Sequence, residues 1–280
     1  MFGKKGSKKV KVGLALGGGG ARGFTHIGAI KAFEEYGVKF DAVAGTSVGS
    51  LMGAFYANGF SYEQMYEIAK KTEMKDIKTN KLFFMPSKTD GIENLLINEM
   101  GDINIEDLKI PFTAVAVDLK TTEEVHISKG NLAKAVAGSC CVPGIFQPVE
   151  FENMNLCDGG LRNTLPSNVL KVMGCDYVVA IDINKSRGYG TDSTKIVDVL
   201  SCTLRILMKS NVTKGYLYAD VLLKPETKKF KSTKKDGFEE MIEEGYREAI
   251  DKMPEILKLF ENKKMSKKKR KIFLQENNKF

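Results

Sequence analysis

The sequence predicts an α/β fold with a mainly parallel central sheet and helices on both faces. Short apolar runs of strand length recur along the chain, among them "VKVGLAL", "VKFDAVAG", "PFTAVAVDL" and "DYVVAIDI". Segments with helical spacing separate them. Strands that alternate with helices run parallel, because each helix carries the chain back over the sheet and covers a face. The chain of 280 residues is long enough for one large domain with a substantial core, and no internal repeat divides it.

The elements follow in order. Val10 to Leu16 is mostly apolar and stops at four glycines, as a buried parallel strand does. Past the glycines, "ARGFTHIGAIKAFEEYG" sets Phe24, Ile27, Ile30 and Phe33 at helical spacing and closes on a glycine suited to a C-cap. "VKFDAVAG" is the second strand and runs straight into a serine. "SLMGAFYANG" and "SYEQMYEIAKK" read as helices, the latter capped by Ser61. "PFTAVAVDL" and "DYVVAIDI" are core strands, and "NLAKAVAGSC" between them is a helix that ends before Pro143. The last third adds a helix in "KIVDVLSCTLRILMKSN", a strand in "YADVLLKP" and a helix in "GFEEMIEEGYREAIDKM", with "TKKFKSTKKDG" a lysine-rich loop.

Composition narrows the classes. Apolar residues make up 42% and charged residues 28%, proportions of a soluble globular chain rather than a disordered one. No run approaches the ~18 apolar residues of a membrane span, and "MFGKKGSKKV" lacks the apolar stretch of a secretory leader, so the expected address is the cytoplasm. Cys140, Cys141, Cys157, Cys175 and Cys202 form no C-x-x-C pair and read as reduced core residues, with neither a disulfide framework nor a zinc site implied. The net charge of +8 is concentrated in "KKGSKK" and "KKMSKKKRK" near the two ends, which bounds the organisation as a basic segment 1–9, one domain 10–262 and a basic tail 263–280. These ends are solvated, or they offer peripheral contact with an anionic membrane; no nucleic-acid partner is expected.

Two motifs carry chemistry. Gly18-Gly19-Gly20-Ala21-Arg22-Gly23 satisfies G-x-G-x-x-G between a strand and a helix. As a dinucleotide fingerprint it wants an acid about 20 residues on, at the end of the second strand. Asp41 has the spacing but stands at the front of "DAVAG", the wrong edge of the sheet, and the strand's far end carries Ser47 instead. Gly45-Thr46-Ser47-Val48-Gly49 matches a nucleophile elbow, in which glycines make room for a sharp strand-to-helix turn that exposes the serine. If the first two strands are parallel neighbours, glycine loop and serine emerge at one edge, where the loop's amides can meet an oxyanion. A nucleotide-binding protein of Rossmann type is the competing reading of the loop, and a non-catalytic lipid- or protein-binding module that of the whole.

The proton acceptor is the open question. A serine triad uses histidine, and the chain has two, His26 and His126. His26 lies on the helix after the glycine loop and reads as packed; His126 in "EEVHISKG" reads as a half-exposed strand residue. Asp158 in "LCDGGLRN", followed by Gly159 and Gly160, stands out among the acids, although an Asp-Gly pair alone is an ordinary turn.

"GGGGARG", "GTSVG" and "DGG", in this order, together with "AVAGSCCVPGIFQPVEFENMNLCDGG", resemble the patatin-like phospholipases, lipid acyl hydrolases that use a Ser-Asp dyad. The resemblance covers residues 10 to about 182. It implies a three-layer patatin-like sandwich in which Ser47 is the nucleophile, Asp158 the general base, and the amides of Gly18, Gly19 and Gly20 the oxyanion hole. Arg22, at the family's basic position, then orders the loop. The substrate it implies is a lipid or other acyl ester, cleaved through an acyl-enzyme with no metal or organic cofactor; transfer of the acyl group to an acceptor other than water is the variant. "KLFFMP" and "GIFQP" are candidate apolar lining. Headgroup, chain length and oligomeric state are not encoded in any motif.

Overall fold

A computed structural model describes residues 10–72, 88–184, 190, 192–231 and 235–264. The basic segment 1–9, the "KLFFMP" run and residues 265–280 of the basic tail lie outside the described residues. Chain order is β1 (Val12–Leu16), α1 (Phe24–Glu35), β2 (Ala42–Thr46), α2 (Val48–Ala57), α3 (Tyr62–Lys71), α4 (Asp90–Met100), β3 (Phe112–Asp118), β4 (Glu124–Ile127) and α5 (Leu132–Ser139). It continues with β5 (Val149–Phe151), β6 (Met154–Asp158), α6 (Ser167–Val172), β7 (Tyr177–Ile181), α7 (Ile196–Ser210), α8 (Val212–Tyr216), β8 (Val221–Leu223) and α9 (Phe238–Lys264). Short 3-10 turns at Gly20–Gly23 and Gly159–Leu161 flank the candidate site.

The strands form one sheet in the order β5-β6-β3-β2-β1-β7-β8, with β4 also paired to β3. β1, β2, β3, β7 and β8 pair in parallel, while β4, β5 and β6 are antiparallel. The predicted α/β class therefore holds, with an antiparallel corner that the sequence reading does not contain. Side chains alternate across the sheet as the pleat requires. Val12, Leu14 and Leu16 of β1 and Tyr177, Val179 and Ile181 of β7 enter a large core beneath α1, α2 and α9. Ala15, Val178 and Ala180 enter a smaller core with Val169 and Leu170 of α6 and Val212 of α8. Helices thus cover both faces, and the arrangement has three layers.

Four departures from the sequence reading have physical causes. The β5–β6 hairpin has no counterpart among the sequence-predicted strands, because its two strands are short and three to five residues carry little alternation. Helix α4 buries only Ile92 and Leu96, too few positions to show a helical period along the chain. Helix α6 is also short and is buried through Ser167, Val169 and Leu170. Helix α9 continues through Pro254 because Ile256 is fully buried and Phe260 packs its ring 5.7 Å from that of Phe40. The domain boundary expected at residue 262 accordingly falls inside a helix. Among the described residues no helix is long and apolar enough to cross a membrane.

Candidate active site

β1 and β2 are parallel neighbours in register Leu16↔Gly45, so the glycine loop and Ser47 leave the sheet side by side at its C-terminal edge. Asp41 sits at the opposite edge, where its Oδ2 accepts from Val12 N at 2.8 Å. That position cannot serve a ribose bound at the glycine loop.

Ser47 adopts φ 53° and ψ −130°, a region that costs a non-glycine residue on the order of 1–3 kcal/mol. The turn is so tight that its glycines have no room for a side chain. A Cβ on Gly45 would stand 2.3 Å from Gly49 O, and one on Gly49 would stand 2.1 Å from Leu16 O. The strain is held by Ser139, at the end of α5. Its fully buried Oγ donates to Val115 O at 2.6 Å and accepts from Ser47 N at 2.9 Å, tying the turn to β3. Ser139 belongs to no motif of its own, and its signal in the sequence is a serine among the small apolar residues of "NLAKAVAGSC".

The aspartate arrives along the same strand. Ala114 pairs with Gly45 and Ile127, and Ala116 pairs with Val125 and Asp158. A strand has two edges, so β4 occupies one edge of β3 while β2 and β6 share the other, pointing toward each other. Their ends meet at consecutive positions of β3: Thr46 opposite Val115, Asp158 opposite Ala116. Residues 111 positions apart in the chain are thereby brought into one site.

Asp158 is fully buried, and Gly160 N donates to its Oδ1 at 2.7 Å. Burial pushes its pKa up from the usual 3.8 to about 6; the Gly160 amide and the Ser47 hydroxyl pull the other way. Oδ2 has no well-aligned donor. The Ser47 hydroxyl is near enough to act on the carboxylate without the geometry of a fully formed bond, a looseness common in unliganded catalytic pairs. Cys140 shares this space, but burial, reinforced by the Asp158 charge, pushes its thiol pKa well up, so it stays protonated.

The glycine loop is braced from three sides. Gly17 N donates to Ile181 O and Gly18 N to Thr164 O, both at 3.0 Å. Gly18 was expected to supply an oxyanion-hole amide, and this bond corrects that: its N–H is already committed to holding the loop. The amides of Gly19 and Gly20 have no protein acceptor among the described residues. Asn184 Nδ2 donates to Gly18 O, and its Oδ1 accepts from Arg22 Nη1 at 3.1 Å. Arg22 is buried, and it orders the loop through Asn184. Gly23 closes the 3-10 turn against Val48, and a Cβ there would stand 2.1 Å from Val48 Cγ2.

Neither histidine is placed as a base. His26 is buried, and its Nε2 hydrogen bonds to Gly17 O at 2.9 Å, which makes that nitrogen the donor. Burial lowers its pKa to about 4 against the opposing effect of that bond, so the ring is neutral and props the loop. His126 is exposed on β4 with Nε2 2.7 Å from Glu124 Oε1. Burial favours the neutral form of Glu124, but donors from His126, Lys214 and Asn163 outweigh it and hold the carboxyl at about 2.

Beside Ser47 opens an apolar cavity walled by Val48, Leu51, Met52 and Phe55 of α2, Met65, Ile68 and Ala69 of α3, and Ile92 and Leu95 of α4. Gly20 and Ala21 of the glycine loop and Ile145 and Phe146 of the "GIFQP" run also line it.

The comparisons with known proteins agree with one another. A family model described as patatin-like phospholipase matches residues 14–171. The chain is 33% identical over 189 residues to an uncharacterized NTE family protein of Mycobacterium tuberculosis, covering 65% of this chain and 51% of that protein. It is 35% identical over 179 residues to lysophospholipase nte1 of Aspergillus fumigatus, covering 61% of this chain and 12% of that one. It is 34% identical over 200 residues to neuropathy target esterase sws of Drosophila melanogaster, covering 68% and 14%. The chain thus spans about half the length of its mycobacterial relative and a small part of the fungal and insect ones. VipD from Legionella pneumophila shares the fold with a TM-score of 0.52 at 13% identity, over 87% of this chain and 66% of that one.

Proposed function

Because this chain belongs to the patatin-like phospholipase family, we propose that it is a lipid acyl hydrolase that cleaves carboxylic esters through Ser47 and Asp158. The observation that carries the reading is the meeting of β2 and β6 on one edge of β3, which sets a buried carboxylate against a serine in a strained turn.

Ser47 Oγ attacks the ester carbonyl carbon while Asp158 Oδ2 takes its proton. The amides of Gly19 and Gly20 face the developing oxyanion, a contribution typically worth ~3 kcal/mol per donor. As the tetrahedral centre collapses, the C–O bond to the alcohol breaks and Asp158 returns the proton to the leaving oxygen, giving the acyl-serine. Water then gives a proton to Asp158 as it attacks the acyl carbon, and Ser47 Oγ leaves with that proton. The acyl chain lies in the apolar cavity, which has the hydrocarbon character a fatty acyl group needs. An aspartate with the ordinary pKa is a weak base; burial brings Asp158 closer to the proton affinity the transfer requires.

Labelling with a fluorophosphonate and mapping of the modified peptide tests this. Label is expected on Ser47, absent from Ser47→Ala, with ester hydrolysis lost in parallel. Hydrolysis that persists in Ser47→Ala overturns the proposal.

A further inference from the structure

We propose that the outward face of α7 is a docking surface for an anionic lipid bilayer, seating the chain with the Ser47–Asp158 edge of the sheet against the membrane. Ile196, Val199, Leu200, Thr203, Ile206, Leu207 and Ser210 share one side of α7 at intervals of three and four residues, and none is charged. The large aliphatic side chains on it are open to solvent: Ile196 73%, Ile206 64%, Leu200 58%, Leu207 49% and Val199 43%. A continuous apolar stripe of this kind on a surface helix marks an interaction site rather than ordinary surface.

The opposite side of α7 fixes where that stripe points. Met208 packs over the turn after Asp158, its Cε 2.3 Å from where a Cβ on Gly160 would stand. Thr164 Oγ1 donates to Met208 O, and Asn211 Nδ2 donates to Leu161 O at 2.6 Å. The apolar face is therefore held outward at the rim of the site, anchored on the turn that Asp158 begins.

Length and charge choose the occupant. At about 1.5 Å per residue, the 15 residues of α7 are too short to span a bilayer, so the helix lies in the plane of the interface. Lys195 and Lys209 stand against one acid, Asp198, and the whole chain carries +8. Two copies meeting through this face bring like charges together, whereas an anionic lipid surface attracts them. A bilayer also holds the substrate if the proposed function is right, and the inference rests on that reading for its purpose though not for its binding.

The test is sedimentation of full-length Ser47→Ala, which leaves lipid intact, with vesicles of equimolar phosphatidylcholine and phosphatidylglycerol at low salt. Binding is expected, and adding Leu200→Glu with Ile206→Glu is expected to weaken it at least about tenfold. In the Ser47 background the same pair is expected to leave hydrolysis of p-nitrophenyl butyrate, a soluble ester, unchanged while vesicle hydrolysis falls. Circular dichroism checks folding, and Leu200→Gln with Ile206→Gln replaces the pair if the glutamates unfold the chain. Vesicle binding that is absent, or equal with and without the substitutions, overturns the proposal. So does a dimer that the substitutions dissociate, since a second copy then covers the face. Ester cleavage surviving in Ser47→Ala refutes the proposed function alone, leaving the binding result to be judged separately.

Discussion

The two arms of the dyad are built in different ways. Ser47 follows a central parallel strand, and the residues that make its turn lie within four positions, Gly45, Gly49 and the Ser47 carbonyl that accepts from Ser50 N at 2.7 Å and Ser50 Oγ at 2.6 Å, with Ser139 the long-range tie. Asp158 ends an antiparallel hairpin at the sheet's corner and takes its role from burial and from its place opposite Ala116. The nucleophile is a local device, the base a long-range one. Damage to the first should act through the turn, and damage to the second through solvation.

The sharpest way to break this comparison is to remove each partner. Ser47→Ala is expected to lower turnover by at least about 10⁴-fold, to the background of the remaining site. Asp158→Asn is expected to lower it by at least ~100-fold, as loss of a general base does, with the rate of the intact enzyme rising with pH through about 6 as the carboxylate ionises. Stability should move the other way. Because burial raises the folded-state pKa above the ordinary value, folding favours the protonated acid, and that favour is lost as pH rises from about 4 to about 6. A shift from 3.8 to about 6 corresponds to on the order of 3 kcal/mol, so Asp158→Asn should melt higher than the parent at pH 8, the gap closing below pH 4. A variant that melts lower at pH 8 contradicts a base tuned by burial.

Ser139→Ala probes the seam between the arms. It removes both bonds that tie Ser47 to β3 and leaves a buried N–H without its partner, which costs about 1–3 kcal/mol. Turnover is expected to fall about tenfold with KM little changed, and fluorophosphonate labelling should slow in proportion. Labelling at the parental rate would mean that the turn holds itself.

The smallest effects are expected at the histidines. His126→Asn should leave turnover within about twofold, since the ring meets Glu124 on the other edge of β3. His26→Gln should lose stability as the buried support of Gly17 O is perturbed, with turnover changing less than about fivefold. A folded His126→Asn as inactive as Ser47→Ala restores a histidine base and ends the dyad reading.

The sequence by itself determined the local devices and the central strands. "VKVGLAL" and "DYVVAIDI" declare buried strands because both faces of a parallel strand are covered, and "GTSVG" declares its turn because no other residues fit within about 2 Å of the backbone that crosses it. The glycine loop was equally visible, but not the division of labour inside it; only the fold shows Gly18 N spent on Thr164 O while Arg22 reaches the loop through Asn184. The "DGG" motif pointed to Asp158 by resemblance, and the residues alone allowed an ordinary turn. What made it a candidate base was decided by tertiary structure: a short hairpin lacking a sequence period of its own folds back antiparallel, docks on the edge of β3 that β2 leaves vacant, and takes the carboxyl out of water. Ser139 gained its role from the same packing. Backbone sterics act between neighbours and can be read along the chain; desolvation and strand-edge pairing depend on what the rest of the chain brings alongside.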